Sequence, residues 1–317
     1  MAAKRIIASA IIGLTASGLA QAQSWQPPVE SARCPSPWGA ADERGAGNLQ
    51  GPDRVMRAAG LIRTGQVIEL AHVLSEDIPM SPWRQFSVHT KRTAPVASSN
   101  RRGSNEELVI SELGHVGTQF DGFTHQTIGD SLYNCFKVSE IETRTGFTHL
   151  GVEKVGAIMT RGVLLDIAAL KNVGMLADTY EITAEDLQRA LARQGLELER
   201  GDAVIIHTGW GQLYGIDNGR FQRTNPGIGV AAAEWLARQA PILIGADTSP
   251  VEVRPNPDPE LSLPIHQIML AVHGIHLLEN LKLDELAAAG VNEFALIVQP
   301  LKIRGGTGST VAPIAVR

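Results

Sequence analysis

The sequence predicts an α/β fold, built as one domain with a mixed sheet. Short apolar strands alternate with helices through most of the chain, while its N-terminal third is mostly strand and loop. Of the 317 residues, 44% are hydrophobic, which is enough for a large core, and no linker-like stretch divides residues 50 to 317. We therefore expect a single domain over residues 23–317.

Each predicted element has a local signal. Apolar runs predict buried strands at residues 162–167, 201–207 and 241–246. Thr183 suits a helix N-cap and Gly195 a helix end, which predicts a helix up to Gln194. A second helix, over residues 265–272, should end at Gly274 and be followed by a strand. The polar stretch from Pro79 to Ser104 predicts a long loop, and long loops often cover binding sites.

The N-terminus has the pattern of a secretory signal peptide. Lys4 and Arg5 precede an apolar run over residues 6–19, and Ala20, Gln21 and Ala22 match the A-x-A cleavage pattern. A membrane anchor is the alternative, but the run is shorter than the ~20 residues that a span needs. We expect residues 1–22 to be a signal peptide and the protein to be periplasmic or secreted.

Charge and cysteine content narrow the function classes. The formal net charge is -5, and cleavage after residue 22 would remove Lys4 and Arg5 and make it -7. An acidic chain with no long basic run is a poor candidate for binding nucleic acid, and no other stretch is apolar enough to cross a membrane.

Cys34 and Cys135 would lie in an oxidising compartment. A disulfide and two separate thiols are both compatible with the sequence.

The stretch HVGTQFDGFTH, residues 115–125, carries the clearest chemical signal. His115, Gln119, Asp121 and His125 all have odd numbers, so in an extended strand they would share one face. Their nitrogen and oxygen donors suit Zn²⁺ or Mn²⁺. The alternative is structural, with Gln119 and His125 satisfying backbone groups and Asp121 starting a turn. Spacing alone leaves the two interpretations equally open.

A second group of polar residues lies in PIHQIMLAVHGIHLLENL, residues 264–281. Because Gly274 breaks the predicted helix, the following strand can bring Glu279 back toward His266. His273 shares a helical face with His266 and is a competing ligand. His276 has the opposite strand parity from Glu279, which indicates a structural role.

These motifs resemble the metal-dependent cyclase superfamily, which includes bacterial kynurenine formamidase and isatin hydrolase. The 115–125 stretch is similar to its HxGTHxDxPxH signature. Similar blocks follow in the family's order across nearly the whole chain after residue 22: WGAADERGAGN, RGVLLDI, GDAVIIHTGW, NPGI, GADTSPVE, HQIMLAVHGIHLLENL and GGTGSTVAPIA. The resemblance implies a swivelling β/β/α fold and a homodimer or homotetramer.

The resemblance also implies roles for individual residues. His115 and Asp121 match metal ligands of the family, and His125 matches its catalytic histidine. His266 and Glu279 match the residues that help to hold a second metal in formamidases, and Glu279 is also a candidate proton donor.

Gln119 departs from the family pattern, which has a histidine ligand there. An amide oxygen can still coordinate and is harder than an imidazole nitrogen, so it shifts the preference toward Mn²⁺ or Mg²⁺. We expect Gln119 to be a ligand in a branch of the superfamily with Gln at this position. The cofactor expected is one divalent cation, Mn²⁺ or Zn²⁺.

The function implied is hydrolysis of a small molecule. The metal would activate water to open a C–N bond of a cyclic amide or aryl formamide, with His125 and Glu279 carrying protons. Trp83, Phe86 and His89, in the long polar stretch, are candidates for covering a flat aromatic substrate. The alternatives are a metal-dependent cyclase or dehydratase, and a periplasmic binding protein with a degenerate site.

Overall fold

A nine-stranded mixed sheet forms the centre of the protein, which is described here by a computed structural model over residues 24–93 and 99–317. The expected signal peptide, residues 1–22, lies outside these ranges. Within them, every helix is too short or too polar to cross a bilayer. The mixed α/β architecture agrees with the fold class expected from the sequence.

The strands are short and are numbered in chain order. They are β1 (Val67–Glu69), β2 (Phe86–Thr93), β3 (Ser104–Ser111), β4 (Gln119–Asp121), β5 (Glu142–Thr143), β6 (Gly146–Phe147), β7 (Ile158–Asp166), β8 (Glu181–Ile182), β9 (Ala203–His207), β10 (Gly227–Ile228), β11 (Leu243–Ala246), β12 (His276–Glu279), β13 (Glu293–Val298), β14 (Gly308–Thr310) and β15 (Ile314–Val316).

The order in the large sheet is β1-β15-β13-β7-β9-β11-β12-β4-β14. The four central strands β7, β9, β11 and β12 are parallel, and the strands that flank them on both sides pair antiparallel. Parallel strands are buried on both faces, which explains why the runs at 162–167, 201–207 and 241–246 are continuously apolar. Apolar clusters lie on each face, one of them containing Val204 and Ile244 and the other Ile205 and Leu243.

The helices cover the sheet and are also short. They are α1 (Glu30–Arg33), α2 (Pro52–Ala59), α3 (Val138–Ile141), α4 (Ile167–Leu170), α5 (Ala184–Gln194), α6 (Asn218–Arg223), α7 (Val230–Arg238), α8 (Pro264–His266) and α9 (Asp284–Ala288). Helix α5 confirms the sequence prediction: Thr183 and Asp186 form a reciprocal capping box, and Gly195 ends the helix in the left-handed region at φ +65°.

The stretch from Pro79 to Ser104 is not the long loop that the sequence predicts. Strands β2 and β3 form a hairpin of eight residue pairs, from Phe86 opposite Ser111 to Thr93 opposite Ser104. Most of its side chains are exposed on both faces. Polar and apolar residues do not alternate between a buried and an exposed face along this hairpin. The sequence therefore gives only a weak strand signal there.

The segment before β12 is helical, as predicted, but its geometry changes along its length. Helix α8 passes directly into a π-helix, Gln267–His273, and Gly274 then ends it at φ +62°. Single-turn π-segments are rare and often lie at functional sites. This one connects His266, on α8, with the strand that ends at Glu279.

A disulfide joins Cys34 to Cys135 and resolves the choice that the sequence left open. Their Cα atoms are 6.0 Å apart although 101 positions separate them in sequence. The bond fastens the irregular N-terminal segment to the turn that follows the 115–125 motif.

Candidate metal centre

The 115–125 motif forms only a short strand, so the expectation of one continuous strand is wrong. Gln119 and Asp121 lie on β4, whereas His115 and His125 lie in turns before and after it. The backbone N–H of His115 donates to the carbonyl of Glu112, and that of His125 donates to Gly122. These turns still bring the two histidine rings together, with centroids 4.0 Å apart.

Asp121 is the centre of the site and is completely buried. Its Oδ1 lies 3.6 Å from Nδ1 of His115, and its Oδ2 lies 3.6 Å from Nε2 of His266. Two groups of donors share it: His115, Asp121 and His125 form one, and Asp121, His266 and Glu279 form the other. In each group the donor atoms lie within 4.8 Å of one another.

The donor atoms at this centre fit a divalent cation. Nδ1 of His115, Oδ2 of Asp121 and Oε1 of Glu279 are buried and lack a hydrogen-bond partner among the described residues. Leaving such atoms unpaired is costly, and a cation held by either group would compensate the unpaired atoms of that group. Nitrogen and carboxylate oxygen donors suit Zn²⁺ and Mn²⁺.

Sheet pairing brings Gln119 and Glu279 together. Strand β12 runs antiparallel to β4 and places Glu279 directly opposite Gln119. Nε2 of Gln119 donates to Oε2 of Glu279 at 2.9 Å and lies 3.4 Å from Oδ1 of Asp121. The structure therefore puts all five metal-ligand candidates and His125 in one cluster. The amide nitrogen of Gln119, rather than its oxygen, faces the carboxylates.

Glu252 is a member of the cluster that the sequence analysis did not assign. Its carboxylate accepts from Nδ1 of His266 at 2.5 Å and also from the backbone N–H groups of Ile265 and His266. This bond fixes the ring so that Nε2 points at Asp121 and at Glu279, 3.1 Å away. The available signal was that Glu252 ends the GADTSPVE block.

The charges in the cluster shift one another's pKa. Although burial opposes it, the neighbouring His125, His115 and His266 hold the pKa of Asp121 well below its usual range. Burial lowers the pKa of His125 to about 4, against the attraction of Asp121. Burial and the nearby Asp121 raise the pKa of Glu279 to about 7. The imidazole of His125 is therefore neutral at pH 7 and can accept a proton.

Strand β14 and the segment before β2 support the motif from outside. Oγ1 of Thr307 lies 2.8 Å from Nε2 of His115, which leaves Nδ1 directed at Asp121. Nη1 of Arg84 donates to the carbonyl of His115 at 2.7 Å. A Cβ on Gly308 would lie 2.8 Å from the carbonyl oxygen of Gly114, so only glycine allows this strand to pass so close to the motif.

The two remaining histidines of the 264–281 segment lie apart from the donor atoms. His273 is exposed and does not join the cluster, so it is not the competing ligand that the helical spacing allowed. His276 is buried, its Nδ1 contacts the carbonyl of Asp121 at 2.9 Å, and its ring stacks on Phe123. These contacts give His276 a structural role, which agrees with its position on the opposite strand face from Glu279.

The three residues expected to cover a substrate lie in different environments in the structure. Trp83 is 77% exposed and lines a cavity, Phe86 is buried in a small apolar cluster with Ile78 and Val116, and His89 is exposed on the hairpin. Of the three, Trp83 alone borders this cavity.

The chain is similar to known proteins in sequence and in fold. The Cyclase family matches residues 68–253. A crystal structure described as a novel cyclase is 32% identical, with a TM-score of 0.79 over 88% of this chain and 98% of its own. Among curated proteins, none matches the chain significantly.

More distant structures share the fold. Isatin hydrolase A from Ralstonia solanacearum is 22% identical with a TM-score of 0.55, over 93% of this chain and all of its own. Isatin hydrolase A from Labrenzia aggregata, bound to benzyl benzoate, is 20% identical with a TM-score of 0.59. The match covers 81% of this chain and 94% of its own. The family match, the 32% identical cyclase and the shared fold together establish that this chain belongs to the cyclase family, as its motifs indicated.

Proposed function

We propose that this protein is a metal-dependent hydrolase that opens a C–N bond of a cyclic amide or an aryl formamide. The observation that carries the proposal is Asp121, a buried carboxylate shared by two groups of metal-type donors. Three of their atoms, Nδ1 of His115, Oδ2 of Asp121 and Oε1 of Glu279, lack a hydrogen-bond partner among the described residues. The isatin hydrolases of similar fold support a hydrolytic reaction. Mn²⁺ or Zn²⁺ is the proposed cation, held by His115, Asp121, His266 and Glu279 with Gln119 beside them.

The mechanism assigns proton movements to this chain's own residues. A divalent cation held by these residues would supply activation of a water, whose pKa falls from ~15.7 toward ~7 on a bound metal, and polarisation of the substrate carbonyl. His125, neutral at pH 7, accepts the proton from the attacking water at a ring nitrogen. Its protonated ring then donates to the leaving nitrogen. Glu279 is the second candidate donor if it does not bind the cation, because burial and Asp121 raise the pKa of its carboxyl to about 7.

The experiment is a turnover panel with the purified, metal-loaded protein. Isatin, N-formylkynurenine and a set of lactams would be incubated with the protein, with and without a chelator. We expect at least one ring or formamide to be opened, and the chelator to abolish turnover. His125→Gln should lose at least about 100-fold in kcat while keeping its metal. Asp121→Asn should lose both metal and turnover.

The same panel separates the alternatives. A protein that retains stoichiometric Mn or Zn but opens none of these compounds would contradict the hydrolase proposal and return attention to cyclisation or dehydration. Absence of stoichiometric metal, with ligand binding unaffected in Asp121→Asn, would support a binding protein instead. Asp53→Asn, which changes an exposed carboxylate on α2, is the matched control.

We also propose that the protein acts in the periplasm or outside the cell. The pattern of residues 1–22 supports export, and the Cys34–Cys135 disulfide fits an oxidising compartment. Cell fractionation and N-terminal sequencing would test this: the processed chain should begin at Gln23. A full-length chain in the cytoplasm would contradict it.

A homodimer or homotetramer is the proposed assembly. The hairpin supports it, because Val88, Leu108, Val109 and Ile110 are exposed on a two-stranded arm with little packing of its own. Isolated hairpins are marginal in water, and contiguous exposed apolar residues mark interaction sites.

A further inference from the structure

A cavity of about 550 Å³ lies against the segment that precedes Arg84. One wall is the segment 78–83, which includes Met80 and Trp83, and the opposite wall is formed by residues of α6, including Arg223. Arg254 also lines it. The cavity therefore combines an apolar wall with cationic groups.

Arg254 connects this cavity with the metal centre. It lies two residues after Glu252, and the backbone of both forms β-type bridges with the segment 225–228. Burial lowers the pKa of the guanidinium, and the carboxylates of Glu279 and Glu252 act in the opposite direction. The guanidinium of Arg254 therefore interacts electrostatically with the carboxylates of Glu279 and Glu252.

The guanidinium has donors to spare. Nη2 donates to the carbonyl of Gln222, while Nε is buried and has no acceptor in the described part of the chain. An arginine offers five N–H donors in a planar fork that matches a carboxylate with two parallel bonds. A buried donor without an acceptor is costly, and an incoming carboxylate would remove that cost.

Trp83 supplies the apolar wall of the same cavity. Its side chain is 77% exposed, and Ile78 and Met80 line the cavity beside it. The adjacent Arg84 donates to the carbonyl of His115, which holds this segment against the metal motif. An exposed indole face offers a large contact area to a planar ring.

We propose that this cavity recognises a planar acid, with the ring against Trp83 and a carboxylate on the fork of Arg254. The proposal rests on the proposed function and adds the substrate class to it: an aromatic or flat ring that carries an acid group in addition to the bond that is opened. The competing explanation is that Arg254 only balances the buried charges of Glu252 and Glu279, which would affect acidic and neutral substrates equally.

The test compares two aryl formamides that differ only in the acid group, 2-formamidobenzoate and formanilide. Turnover of both would be measured for the wild-type, metal-loaded protein and for Arg254→Ala, Arg254→Lys and Arg189→Ala. We expect the wild type to favour the acid in kcat/KM by about 10- to 100-fold, mainly through KM. Arg254→Ala should lose this preference, and Arg254→Lys should recover only part of it.

Arg189→Ala is the control, because Arg189 is an exposed arginine on α5 and its removal should leave the preference unchanged. Metal content and circular dichroism would verify that each variant is folded and loaded. A wild type that treats both formamides equally would overturn the proposal. So would an equal loss on both compounds in Arg254→Ala, since that is the signature of charge balancing.

A binding measurement separates this proposal from the proposed hydrolase function. If neither formamide is turned over, calorimetry with benzoate and benzamide on the Mn²⁺-loaded protein tests recognition alone. Benzoate should bind about 10- to 100-fold more tightly than benzamide, and Arg254→Ala should remove the difference. Equal affinities would reject the acid site, whatever reaction the protein catalyses.

Discussion

At the residue scale, side chains outside the set of candidate ligands orient those ligands. His266 presents Nε2 to Asp121 and Glu279 because Glu252 accepts the hydrogen bond from Nδ1. Thr307 does the same for His115 from the opposite side. Such partners fix the tautomer and the ring orientation of a metal-ligating histidine.

Replacing Glu252 with Gln should therefore weaken metal binding without removing a ligand. We expect Glu252→Gln to lower the affinity for Mn²⁺ by about 10- to 100-fold, because an amide is a weaker acceptor for Nδ1. Competition with a fluorescent chelator would measure it. Glu260→Gln, which changes an exposed carboxylate that follows Glu252 in sequence, is the control. Unchanged affinity would show that Glu252 does not orient His266.

Gln119 should control which metal the protein prefers. In Gln119→His an imidazole nitrogen replaces the amide, and we expect the preference to move from Mn²⁺ toward Zn²⁺ on the order of tenfold. Metal analysis after equilibration with equal amounts of both ions would measure the ratio. A ratio that stays constant would mean that Gln119 does not coordinate and serves only to hydrogen-bond Glu279.

At the element scale, the β2–β3 hairpin leaves most of its side chains exposed on both faces. Leu108 and Ile110 alternate along β3, so they share one face, and both are largely exposed. A second copy of the chain would bury them. Because β3 ends four residues before His115, a contact on the hairpin lies close in sequence to the metal motif.

The double variant Leu108→Glu and Ile110→Glu should weaken the assembly. Burying two carboxylates in an apolar contact is unfavourable, and we expect the dissociation constant of the oligomer to rise at least about tenfold. Light scattering after size exclusion would measure it. Val73→Glu with Ile216→Glu, at exposed apolar positions that are not part of the hairpin, is the matched control. An equal effect of both pairs would contradict a specific role of the hairpin.

Elements with strong local signals were predicted well, and those that depend on tertiary contacts were not. Helix α5 is an example: its capping box, Thr183 and Asp186, and its C-terminal glycine, Gly195, depend only on residues close in sequence. The sequence pattern alone therefore identifies them. The turns that carry His115 and His125 depend on partners such as Thr307. The role of Glu252 depends on His266, fourteen positions away, and no local periodicity reveals such a partner.

At the scale of the whole molecule, the disulfide closes a loop that contains the entire 115–125 motif. A cross-link over 101 positions restricts the unfolded chain and so stabilises the folded one. We expect the double variant Cys34→Ser and Cys135→Ser to lose about 2–5 kcal/mol in free energy of unfolding. Urea denaturation would measure it, with wild type in reductant as the control. Equal stability would show that the bond only joins segments that are already held in place.

Strand β14 lies at the edge of the sheet, and with Thr307 it completes the surroundings of His115. The groups of the candidate metal centre and its support therefore come from positions as far apart as 115 and 307. During synthesis the motif leaves the ribosome long before its C-terminal support does. The surroundings of His115 can be completed only after residue 307 has been synthesised and folded. For an exported protein, the metal would then be acquired where folding finishes, so the metal supply of that compartment would decide which ion the enzyme carries.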